Sequence, residues 1–193
     1  AVTTARERYA MNTPRMLAAL IGLMGLSACF YSEVPLIPEG RQVTLPYNGV
    51  VLCLEDDCRN VMVGEDGAYE IKPPEGEDPD EKPLFVRFQL LAGQGGDDAA
   101  NPVYLAEAEM RDGEDVSYHY LVAHIRPGAT THVPTYEFAM PGCNDAPDGA
   151  LERFNIERTD SYACRVTDLE AFKTYLTEVH GADFETEAFW EDN

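Results

Sequence analysis

The chain has 193 residues, 45% hydrophobic and 25% charged, a balance that suits one globular domain with its own core and excludes a disordered polymer. Acidic residues outnumber basic ones 35 to 14, a net charge of −21. That excess excludes nucleic acid as a partner, because affinity for phosphate comes from Lys and Arg; charged partners should be cations or basic proteins.

Residues 1–10 precede Met11 and read either as a fragment boundary or as a start placed too far upstream. Residues 11–15 carry one positive charge, Arg15, and residues 16–26 are apolar apart from Gly22 and Gly25. Leu26-Ser27-Ala28-Cys29 closes the run. Charge, apolar stretch and small residues in that order describe a secretory signal peptide. The apolar run up to Cys29 is shorter than the roughly 20 residues a membrane-spanning helix needs.

The closing tetrapeptide resembles the lipobox of bacterial lipoproteins: Leu, two small residues, then Cys. The resemblance implies a diacylglycerol on the Cys29 thiol and a peptidase cut just before it, so that residues 1–28 (upstream residues and signal peptide) are removed. Residues 1–28 hold three of the 14 basic and one of the 35 acidic residues, so the product would carry −23. In this family an Asp after the Cys favours the inner membrane. Phe30 stands there instead, which implies a lipid anchor in the outer membrane of the cell envelope with the protein facing the periplasm.

Residues 29–40 contain Pro35 and Pro38 and read as a lipidated tether. Residues 41–193 are then expected to form a single β-rich domain. Residues 41–46, 49–54, 59–63 and 68–71 read as strands, the last two joined by the Asp66-Gly67 turn. Residues 72–83 hold four prolines and five acidic residues and must be a loop. Residues 84–91 give the clearest strand, residues 93–102 a second loop. Residues 103–111 and 115–126 flank Asp112-Gly113, another hairpin signal, and residues 131–140 follow the Pro127-Gly128 turn. The expectation is an antiparallel sheet, curved or partly closed.

The C-terminal part changes period. Thr167 and Glu170 stand at capping-box spacing, with Asp168 adding charge favourable to the helix dipole. Leu169, Phe172, Leu176 and Val179 follow at helical spacing, and Gly181 is a natural stop. An amphipathic helix packed on the sheet is expected, followed by a turn anchored by Phe184, Phe189 and Trp190. The fold class is α+β.

Five cysteines leave one unpaired in an exported protein. With Cys29 acylated, Cys53, Cys58, Cys143 and Cys164 remain and can pair in three ways. Position favours Cys53–Cys58, across a hairpin, and Cys143–Cys164. C-x₄-C fits neither zinc nor redox spacing, so these read as structural.

The signals for chemistry are sparse. Glu75, Glu77, Asp78 and Asp80 in the acidic loop are weak candidates for a hard cation, without EF-hand spacing. His124 and His132 flank a turn and would make a partial metal site if they became cross-strand neighbours; His119 and His124 should face opposite sides of their strand. Tyr104, Tyr118, Tyr120 and Tyr136 are candidates for a binding face, with sheet packing the plainer role. No nucleophile elbow, zinc-protease helix or phosphate-binding glycine loop occurs, and no cofactor is implied. The resulting expectation is a membrane-anchored, non-enzymatic envelope lipoprotein with an acidic, disulfide-stapled interaction or assembly domain and a protein partner. The alternatives are a module binding a ligand or divalent cation and, behind it, a hydrolase of envelope polymers.

Overall fold

The computed structural model describes residues 29–45, 49–54, 57–72, 83–91, 102–125 and 136–191. Among them ten strands form one mixed sheet. Its strands are β1 (Cys29–Ser32), β2 (Gly49–Leu54), β3 (Asp57–Val63), β4 (Tyr69–Ile71), β5 (Leu84–Leu90), β6 (Val103–Asp112), β7 (Asp115–Ile125), β8 (Tyr136–Ala139), β9 (Glu157–Arg158) and β10 (Ala163–Arg165). The spatial order is β2-β3-β4-β5-β6-β7-β1-β10-β9, with β8 also on β7 and, among the described residues, the two ends of the path unpaired. The expected α+β class is thus found, with a sheet that, of the expected curved or partly closed forms, is not closed among the described residues. One pairing departs from the antiparallel expectation: β1 and β10 run parallel. They belong to opposite ends of the chain, so no hairpin dictates their direction.

The hairpins follow from turn chemistry. Gly67, at φ +80°, closes the β3–β4 turn, where Gly64 N–H donates to Ala68 O at 2.7 Å. Asp112 pairs with Asp115, leaving Gly113 and Glu114 as a two-residue loop. Gly113 has φ +61° and Glu114 does not share that sign, so the turn is of the II′ kind that matches strand twist.

Period-two alternation sorts the sheet into two faces. On β6, Val103 and Leu105 join one apolar cluster, while Tyr104, Ala106 and Ala108 join another on the opposite face. The second cluster requires strong curvature. The rings of Phe88 (β5) and Phe138 (β8) are 6.3 Å apart, although β6 and β7 lie between their strands, a gap of about 14 Å in a flat sheet. Ala106, Ala108 and Ala123 on this concave side leave room for the closure. Residues 41–45, expected as a strand, enter here as an extended segment, with Val43 N–H bonded to Phe88 O at 2.7 Å and Leu45 buried.

The other face takes the helices: α1 (Ala150–Arg153), α2 (Leu169–His180) and α3 (Glu187–Glu191). Asp168, rather than Thr167, is the N-cap of α2; its Oδ1 accepts the Ala171 N–H at 2.8 Å. Gly181 serves space instead of a left-handed stop: its φ is −57°, and a Cβ there would collide with Thr177 O. Phe172, Tyr175 and Leu176 are buried against the sheet. Phe184 and Trp190 are buried as well, as their anchoring role requires, and Trp190 Nε1 donates to Phe184 O at 3.1 Å.

The largest correction concerns residues 29–40. They are not a tether. Phe30 is 0% exposed and sits among Phe172 (5.0 Å), Tyr175 (5.4 Å) and the rest of the helix-side cluster. Phe30 and Ser32 alternate inward with period two, and both prolines fall after the strand. Burying one such ring stabilises the fold by about 2–3 kcal/mol.

Candidate functional site

β1 begins at Cys29, and its surroundings define the position of the proposed acyl attachment. It lies between β7, antiparallel through Phe30↔Tyr120 and Ser32↔Tyr118, and β10, parallel through Cys29↔Ala163 and Phe30↔Cys164. β6 takes the other edge of β7. β8 shares the edge used by β1, with Ala139↔Val122 and Tyr136↔Ile125. Only Leu121 separates the positions paired by β8 and β1, so the two strands lie end to end and the lane upstream of Cys29 along β7 is already filled.

A buried polar network ties down the segment after β1. The Glu107 side chain, 0% exposed, accepts at Oε2 the backbone N–H groups of Leu36 (2.6 Å) and Ile37 (3.0 Å) and the Tyr120 hydroxyl (3.1 Å). Arg87 Nη1 approaches Oε1 at 3.7 Å from the adjacent strand. Ser32 Oγ lies 2.7 Å from the Tyr120 oxygen and 2.6 Å from Val34 O. Burial, and next the Glu107 carboxylate, raises the Tyr120 hydroxyl far above the ordinary phenol range, so it serves as a donor at any physiological pH. Sequence reading missed Glu107, although a signal was present: alternation places it on the apolar face of Val103 and Leu105, and a buried carboxylate there requires partners.

Cys143 and Cys164 form a disulfide, with Cα atoms 6.0 Å apart and a sequence separation of 21. A loop of that size contributes about 3 kcal/mol in the chain-entropy model, and the bridge fastens β10, the partner of β1, to the 3₁₀ turn Cys143–Asp145. Arg158 reinforces the same turn, donating to Cys143 O at 2.9 Å. Cys53 and Cys58 are register partners across the β2–β3 hairpin, as their spacing suggested.

The candidate metal ligands are not brought together. His124 is buried, with Nε2 2.8 Å from Glu137 Oε2, its imidazole stacked 3.7 Å from the Trp190 ring. The register sets Glu137 of β8 opposite His124 on one edge of β7 and Val103 of β6 on the other, so both cross-strand positions beside His124 are taken by residues other than His132. His132, Glu75, Glu77, Asp78 and Asp80 lie outside the described residues. Among the described residues no three His, Cys, Asp or Glu side chains converge on a metal position, and no helix is long and apolar enough to cross a membrane.

His119 faces away from His124, as parity requires, with Ser117 Oγ 3.0 Å from its Nε2; burial pushes its pKa down. A Ser and a His two apart on one strand meet by pleat geometry alone. The four tyrosines make no common face. Tyr118 and Tyr120 lie on the helix side and Tyr104 and Tyr136 on the concave side, so they pack the sheet rather than line one site. Comparison with protein-family models, with curated proteins and with solved structures finds no match.

Proposed function

We propose that this chain is a lipid-anchored protein of the bacterial envelope, held in the outer membrane on its periplasmic side, whose acidic domain recruits a protein partner. One coincidence carries the anchoring half of the reading. Phe30, the residue after the cysteine that ends Leu26-Ser27-Ala28-Cys29, pairs with Tyr120, and β8 pairs with β7 from Val122 onward, so β8 fills the lane ahead of Cys29. A strand with that neighbour is suited to begin where a lipoprotein peptidase would cut.

Growth of cells expressing the full chain with an alkyne-tagged fatty acid tests this. The product should be labelled, and its intact mass should correspond to a chain starting at Cys29 plus acyl groups. An unlabelled product that retains the upstream residues overturns the reading.

The recruiting half is supported by the −23 charge of the processed chain, which favours a basic partner and speeds encounter with one. A tagged protein taken from mildly solubilised envelopes should bring down a stoichiometric partner that high salt releases. Recovery of the tagged chain alone, after crosslinking in intact cells, sinks that half.

A further inference from the structure

We propose that the folded domain rests directly on the lipid surface, with no spacer between anchor and fold and with the turn over residues 159–162 as its point of contact. The inference rests on the lipid-anchor reading of Cys29 and adds to it an orientation and a contact residue.

Slack comes first. A lipoprotein domain gains distance from its membrane through an unstructured tether. Here Cys29 is itself in register with Ala163, and the next residue is part of the helix-side core. An extended residue spans about 3.3 Å, so an acyl group on Cys29 is attached within one residue of packed structure. The chain after β1 cannot supply length either, because Glu107 holds Leu36 and Ile37 by their backbone N–H groups.

On the side of β1 away from β7, the parallel register decides what lies beside the anchor. Ala163 is opposite Cys29, so the residue before it, Tyr162, lies at the start of β10 next to the start of β1. Tyr162 is 54% exposed, one of three large apolar side chains left open to solvent among the described residues. The others are elsewhere: Val34 follows the far end of β1 and Met62 is on β3. A tyrosine ring with an apolar body and a hydroxyl tip suits the headgroup level of a bilayer.

At the turn itself charge opposes the contact through one carboxylate only. Anionic headgroups repel each nearby carboxylate, and the domain as a whole is strongly acidic. The carboxylate in the turn, Asp160, directs Oδ1 back onto the N–H groups of Tyr162 (2.6 Å) and Ala163 (2.8 Å). Those two donors offset part of its charge and hold the turn in shape.

Vesicles of brominated phosphatidylethanolamine and phosphatidylglycerol carrying the purified, lipidated Tyr162→Trp protein provide the test. Trp190, buried in the core, serves as an internal reference that bromine should not reach. The indole at position 162 should lose emission relative to the same protein in unbrominated vesicles, as expected of a ring at headgroup depth. A flexible Gly/Ser spacer of about a dozen residues between Cys29 and Phe30 adds about 20 Å of reach and should restore that emission while the acyl mass stays on Cys29. An acylated protein whose indole is not quenched, or is quenched equally with the spacer, overturns the direct contact and leaves the anchor standing. A product without acyl mass overturns both.

Discussion

Replacing Glu107 with Leu should destabilise the domain by about 3–5 kcal/mol, the cost of breaking a buried charged network from one side. The volume is nearly conserved, so the effect isolates the loss of the acceptor. The N–H groups of Leu36 and Ile37 would lose the oxygen on which they converge, at about 1–3 kcal/mol for each buried group left unsatisfied. Arg87, whose side chain is only 16% exposed, would lose its carboxylate. Urea unfolding should show a lower midpoint with an unchanged slope. Glu107→Gln keeps an acceptor for the two N–H groups and should cost distinctly less than Glu107→Leu. Equal losses for the two would mean that only the shape of residue 107 matters. Because Tyr120 and Ser32 belong to the same network, hydrogen exchange in the Glu107→Leu variant should accelerate first in β1.

A Cys29→Ser substitution should block acylation and, with it, the cut that depends on acylation. The product should be unlabelled and heavier by the upstream residues. A domain beginning at Phe30 behind an ordinary cleavable leader should instead appear soluble in the periplasm. Its membrane-bound fraction should fall at least about a hundredfold, since a single acyl chain binds only marginally and stable anchoring needs two. Loss of Cys29 removes only the terminal pair with Ala163, so the unanchored domain should still fold, with its Cys143–Cys164 bridge intact. Equal mass and equal distribution for the wild-type protein and the Cys29→Ser variant would refute the anchor.

Local chemistry was readable without the structure. Asp66-Gly67 and Asp112-Gly113 marked two hairpins because a positive φ at glycine is a property of one or two residues. The segments read as strands over residues 84–91 and 103–111 match β5 and β6 to within a residue, and Phe172 and Leu176 identified the buried stripe of α2. The pairing of Cys143 with Cys164 followed from parity and position. What misled the reading at residues 29–40 was composition: two prolines near a presumed lipid site suggest a tether, yet they lie beyond the strand, which is only four residues long and has no hairpin partner nearby.

The candidate site was legible at one point and hidden at the rest. Cys29 could be proposed as an anchor from sequence because an apolar run ending in Leu-Ser-Ala-Cys is a local pattern, read before folding. Its neighbours could not. Ser32 meets Tyr120 across 88 residues of sequence, and Glu107 reaches Leu36 across 71. The sequence by itself determined the acidic charge, through composition, and the hairpins and the amphipathic helix, through spacings of a few residues; the proposed export signal rests on the same kind of local pattern. Only the tertiary structure decided that β1 enters the middle of a sheet, that β10 lies parallel beside it, and that a buried carboxylate closes over the segment that follows β1. Long-range strand pairing selects among many possible partners by mutual burial, and no short window of residues carries that choice.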